Sequence, residues 1–188
     1  MGIRQAISLD PFKQQKVKDS QQTTPLRDKT FRGNASQFFV AGELCRRGLY
    51  AVVTLGNAAN TDILCSNIEG TKFVHIQVKT YLPEKSSTCS VGKKAEKSYG
   101  ENFFWVLGGI PSPLSGCPFE YYIVPAEVMA ENITSSHQRW LHTPGKDGKT
   151  HNDSTIRTVH IPPHSNQYSW DVSPYLNRWD LIEAKLAD

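Results

Sequence analysis

The stretch that most constrains this chain runs from Asn60 to Thr80. Phe73, His75, Gln77 and Lys79 alternate there with Val74, Ile76 and Val78. Side chains with a period of two face opposite sides of a strand, so the run predicts a half-buried β-strand. Residues 63–66 form a second short apolar run. The connection Asn67-Ile68-Glu69-Gly70-Thr71 supplies the Asn and Gly of a hairpin turn. In an antiparallel pair the start of one strand lies beside the end of the next. Asp62, at the start of the first strand, thereby falls beside Gln77 and Lys79, which share a face. A carboxylate and an amide oxygen are hard ligands that suit Mg²⁺. An amine beside them holds a water or steadies phosphate charge. The plainer alternative has Asp62 capping a turn, with Gln77 and Lys79 on the wet face of an ordinary hairpin.

Upstream, residues 35–47 carry helix signals. Asn34 is a favoured N-cap residue with Gln37 three positions on. Gly48 suits the left-handed position after the last turn, followed by apolar Leu49. On a helical wheel Phe38, Ala41, Gly42, Leu44 and Cys45 form the apolar side, and Gln37 sits at its edge, leaning toward the sheet. Glu43 falls nearly opposite, where it pairs with Arg47 at i,i+4. Residues 50–55 read as the first strand, and residues 56–60 as a loop running up to Asp62.

Asp62 followed by Gln77-Val78-Lys79 resembles the core of the PD-(D/E)XK nucleases, the restriction-endonuclease-like fold. The upstream order is similar too. Gly33-Asn34-Ala35-Ser36-Gln37 and then Gly48-Leu49-Tyr50-Ala51-Val52-Val53 match the helix and first strand of archaeal Holliday-junction resolvases. The resemblance covers residues 33–79, and the remainder only by order of elements. The sequence departs from the pattern twice: Gln37 stands where the helix carries Glu, and Gln77 where Glu precedes X-Lys. Gln-X-Lys variants occur in the superfamily, homing endonucleases among them. The resemblance implies an α/β fold, a central mixed β-sheet flanked by helices. It implies a DNA endonuclease that hydrolyses phosphodiester bonds with Mg²⁺ or Mn²⁺, and it allows a homodimer. Asp62, Gln77 and the backbone carbonyl of Val78 would hold the metal. Lys79 would activate water or stabilise developing charge, and Gln37 would orient a water or a second ligand. Glu43 is the nearest acid that could replace the missing helix Glu, although the wheel turns it away. The competing class is a non-catalytic nucleic-acid-binding module on the same fold.

The 188 residues suit one domain, residues 31–188, behind a polar and flexible segment, residues 1–30. A net charge of +3 neither demands nor opposes a polyanionic partner. No apolar run reaches membrane length and no signal-peptide pattern opens the chain, so the cytoplasm is the expected location. Cys45, Cys65, Cys89 and Cys117 are widely spaced, which predicts reduced thiols. Residues 83–102 are polar and carry Lys85, Lys93, Lys94 and Lys97. Leaving the strand that bears Lys79, these lysines either reach phosphates near the site or lie solvated. Residues 103–107 and 119–124 read as strands around a Pro/Gly connector. A helix is expected over 126–132, a second short one from Ser135 or Ser136 to Leu141, and a short strand over 155–161. Ser173 is the expected cap of a last helix, 174–187, with Tyr175, Leu176, Trp179 and Ile182 as its apolar stripe. His137, His142, His151, His160 and His164 lack zinc-site spacing. Trp140, Trp170 and Trp179 are expected in the core rather than as base-stacking platforms.

Overall fold

The computed structural model describes residues 29–55 and 58–187. Residues 1–28 of the polar N-terminal segment lie outside this range, as do Gly56 and Asn57 of the loop before Asp62.

Helix α1 (Lys29–Arg46) precedes strand β1 (Tyr50–Val53). The expected hairpin follows as β2 (Ile63–Ser66) and β3 (Phe73–Tyr81), antiparallel, with Ile63 opposite Ile76 and Ser66 opposite Phe73. Asn67 closes its turn by accepting from the N–H groups of Thr71 at 2.9 Å and Lys72 at 3.0 Å. Strand β1 pairs antiparallel with β2. Beyond a short β4 (Thr88–Ser90), β5 (Phe103–Gly109) runs parallel to β3, and β6 (Glu120–Pro125) antiparallel to β5. The result is a five-stranded mixed sheet ordered β1-β2-β3-β5-β6.

The pleat of β3 and β5 divides the core into two layers. Val74, Ile76 and Val78 of β3 and Phe104 and Val106 of β5 face Val40, Ala41 and Leu44 of α1 and Ile182 of α3 (Asp180–Leu186). Phe103, Trp105 and Leu107 face the other way, toward Met129 and Ile133 of helix α2 (Ala126–His142) and Cys89, Val91 and Ala95. Two adjacent glycines serve the two layers. A Cβ on Gly108 would collide with Ser36 Oγ of α1, and one on Gly109 would stand 2.6 Å from the Tyr81 ring.

Several expected boundaries move. Helix α1 starts at Lys29, so Gly33 and Asn34 lie inside it and Asn34 is no N-cap. Phe31, Arg32 and Phe39 line a groove against residues 110–119, and that tertiary contact carries the helix back past the local cap signal. Its buried stripe is Ser36, Val40, Ala41 and Leu44, whereas Phe38, Gly42 and Cys45 are exposed. The C-terminal signal holds. Gly48 has φ +85°, and Leu49 N–H bonds Leu44 C=O at 3.2 Å while Gly48 N–H bonds Cys45 C=O at 2.9 Å, the Schellman pattern.

The two helices expected over 126–141 are one. Asn132 donates its Nδ2 back to Val128 C=O at 2.9 Å, and buried Ile133 and His137 continue the stripe of Met129. The last helix is shorter than expected. A 3₁₀ turn (Ser173–Tyr175) is followed by Asn177 at φ +53° before α3 begins. Asn177 N–H bonds Tyr121 C=O at 2.6 Å, which ties the segment to the edge of β6 and interrupts helix growth.

Residues 83–102 are folded. β4 pairs antiparallel with β7 (Thr158–His160) in a separate two-stranded sheet, and Lys93–Glu96 forms a 3₁₀ turn. An ion cluster fastens this layer. Arg157, 4% exposed, donates to Glu96 at 2.5 Å and to Asp153 at 3.1 Å. Asp153 also meets His137 at 2.9 Å and Lys93 at 3.2 Å. The four cysteines are free, and burial pushes the Cys65 and Cys89 thiols up to about 12. No helix among the described residues is long and apolar enough to cross a membrane.

Candidate active site

Asp62 immediately precedes β2, and its N–H bonds Ile76 C=O at 2.9 Å, one step beyond the last ladder pair. That register swings its carboxylate across β3. Oδ2 accepts the Val78 N–H at 2.7 Å and also the side-chain Nε2–H of Gln77. Gln77 is buried, and Lys79 is half-buried one pleat further on the same face. The N–H and C=O of one strand residue point to the same side. The Val78 carbonyl is therefore directed past the end of β2, on the side of Asp62.

Electrostatics favour a carboxylate that gains from a nearby cation. Burial raises the Asp62 pKa above its ordinary value, while the Val78 N–H, the Lys79 ammonium and the Gln77 amide pull the other way. Asp62 Oδ1 takes part in no hydrogen bond among the described residues. Two residues earlier, Asn60 turns the chain with φ +62°, and its Oδ1 is buried without a partner among the described residues. His75, two residues before Gln77 in β3, has its Nδ1 3.2 Å from Thr61 Oγ1. Asn60, Thr61 and His75 did not stand out in the sequence. Their placement depends on how residues 60–62 lead into β2 beside β3, which strand alternation does not encode.

The other expected site residues make no hydrogen bond to this cluster among the described residues. Helix α1 covers the sheet face opposite Gln77 and Lys79, and no hydrogen bond among the described residues joins Gln37 to Asp62, Gln77 or Lys79. Glu43 is held by Arg46 at 2.7 Å and Arg47 at 2.8 Å, and these guanidiniums keep its carboxyl below the ordinary range. Arg47 continues to Glu183 at 2.9 Å, so Glu43 belongs to the seam between α1 and α3 rather than to the Asp62 cluster. Lys93 is engaged with Asp153. Lys85, Lys94 and Lys97 are exposed. Among the described residues, no group of three or more His, Cys, Asp or Glu stands together as a metal centre.

No family model matches the chain, and no curated protein matches it. Among solved structures, the fold is similar to that of a bacterial homing endonuclease, I-Ssp6803I. The match has 18% identity and a TM-score of 0.52, and it covers 85% of this chain and 94% of that one. At this identity the likeness is one of fold: a mixed sheet with flanking helices in nuclease-like arrangement.

Proposed function

We propose that the chain is a metal-dependent DNA endonuclease of the PD-(D/E)XK type, in its Gln-X-Lys form. The observation that carries this reading is the meeting of Asp62, Gln77 and Lys79 on one face of β3, within a fold similar to that of a homing endonuclease. A bare hairpin has no reason to bury a carboxylate against an amide and leave an amine beside it.

The donor set fits a hard divalent cation. Asp62 Oδ1, Gln77 Oε1 and the Val78 carbonyl are all oxygens, with one full negative charge among them, and Asn60, two residues before Asp62, has a buried Oδ1 without a partner among the described residues. Mg²⁺ takes few protein ligands and accepts substrate phosphate oxygens in addition. When bound, it supplies Lewis-acid polarisation and an activated water. The chain's own residues do the rest. Asp62 provides the anion, with Val78 N–H and Gln77 Nε2–H holding its other oxygen in place. Lys79 stabilises the negative charge that grows on the phosphoryl oxygens.

One observation favours a second reading, a DNA-binding module without cleavage: Gln37 and Gln77 stand where the nuclease pattern has Glu. The two readings separate in one experiment. Supercoiled, linear, branched and single-stranded DNA are incubated with the protein and Mg²⁺, Mn²⁺ or chelator. Metal-dependent strand breaks on at least one substrate support the nuclease. Salt-sensitive binding to DNA with no breaks under either metal supports the binding module and removes the nuclease.

A further inference from the structure

A second concavity lies away from Asp62, between α2 and residues 154–170, and encloses about 480 Å³. Small-molecule sites typically span about 300–1,000 Å³. Ile133, His137 and Trp140 line one wall from a single face of α2, and His160, Tyr168 and Trp170 line the other.

Two features of the lining define what fits. The first is aromatic order. His137 stacks on Trp140 with ring centroids 5.4 Å apart and 28° between planes, and Trp140 stacks on His151 at 4.1 Å and 25°. These stacks fix the Trp140 ring in the wall, and Tyr168 and Trp170 add aromatic surface across from it. The second is charge. Arg157, the guanidinium in the lining, is already bonded to Glu96 and Asp153, so it offers no spare cation to an anionic ligand. The remaining polar groups are hydroxyls, an Asn amide, indole N–H groups and imidazoles, of which His137 is engaged with Asp153. Burial and the neighbouring His164 hold His160 below its ordinary value, toward the uncharged ring. Flat walls with neutral donors and acceptors at their edges suit a planar, uncharged heterocycle.

We propose that this cavity is a binding site for a neutral planar heteroaromatic ring, specifically an unstacked nucleobase. The choice of a nucleobase among such rings rests on the nuclease reading; the cavity's preference for a neutral planar ring does not.

The chain provides its own reporters. Of its four tryptophans, Trp140 and Trp170 line the cavity, while Trp105 and Trp179 are 1% and 2% exposed in the main core. The full-length protein with ¹⁵N-labelled indoles is titrated with adenosine, guanosine, cytidine and thymidine, and separately with deoxyribose 5-phosphate. Signals are assigned by Trp140→Phe and Trp170→Phe. The indole signals of Trp140 and Trp170 are expected to shift saturably with at least one nucleoside, those of Trp105 and Trp179 to stay in place, and the sugar phosphate to have no effect. Tyr168→Ala, in the half-buried outer wall, should weaken nucleoside binding about tenfold, the scale of one lost stacking partner. Ser136→Phe should block the cavity. The proposal is overturned by silent signals at about 10 mM nucleoside, by all four indoles moving together, by an equal response to the sugar phosphate, or by unchanged affinity in both variants. Nucleoside binding by a protein that cuts no DNA would sink the nuclease reading alone.

Discussion

The group with the most at stake in the Asp62 cluster is Lys79. It stands close enough to act on the Asp62 carboxylate, yet a lysine acting on developing charge contributes to rate rather than to ground-state affinity. Lys79→Ala should therefore lower cleavage at least about a hundredfold, the scale of one lost electrostatic stabiliser, with DNA affinity and melting temperature nearly unchanged. A drop in affinity as large as the drop in rate would make Lys79 a phosphate contact only. Gln77 has a different role, because it donates a hydrogen bond to Asp62. Gln77→Glu replaces that donor by a second carboxylate, and like charges at contact disfavour joint ionisation. Without metal the variant should lose about 1.5–3 kcal/mol, the worth of a hydrogen bond to a charged group, and Mn²⁺ should restore the loss. Calorimetry should also show tighter Mn²⁺ binding than in the wild type without DNA. Equal affinity would remove Gln77 from the ligand set. Asp62, Gln77 and Lys79 were legible in the sequence because one hairpin fixes them all. The position of Gln37 was less legible, since a helical wheel gives a buried side and does not say which face of the sheet that side will cover.

Elements show the same division between local and distant causes. The hairpin, its Asn67 turn and the Gly48 cap were readable because each rests on residues adjacent in the chain. The start of α1, the unbroken α2 and the β4–β7 pair were not. Each depends on partners far along the chain, such as Thr88 with His160. The polar look of residues 83–102 hid the three small apolar anchors Cys89, Val91 and Ala95, which are all buried. The glycine pair at the end of β5 offers a test of how the two layers are held apart. Gly109→Ala puts a methyl against the Tyr81 ring, whose hydroxyl is tied to Glu120 at 2.8 Å and resists displacement. The expected cost is about 1–3 kcal/mol, read as a lower denaturant midpoint at unchanged slope. An unchanged midpoint would show that Tyr81 is free to move aside.

At the scale of the whole molecule, the ion cluster ties the middle of the chain to its C-terminal third, and that tie depends on pH. Hydrogen bonds from His137 first, then Lys93 and Arg157, hold Asp153 well below its ordinary 3.8. A folded-state value below the unfolded one means that the unfolded chain takes up the proton first as pH falls. The contribution of Asp153 is therefore complete above pH 3.8 and is lost progressively below it. Denaturant midpoints measured against pH should fall more steeply below that point for the wild type than for Asp153→Asn; parallel curves would detach Asp153 from acid stability. The sheet order has a further consequence, in time rather than energy. Strands β1, β2 and β3 pair with their sequence neighbours, whereas β5 must cross over a whole segment to lie parallel to β3. Local pairings close quickly and crossovers slowly. Pulse-labelled amide exchange during refolding should protect Ile76 and Val78 before Cys89 and Val159, and the reverse order would overturn this sequence of events. A chain emerging during synthesis would then assemble Asp62, Gln77 and Lys79 before the layer that packs on their own face of the sheet exists.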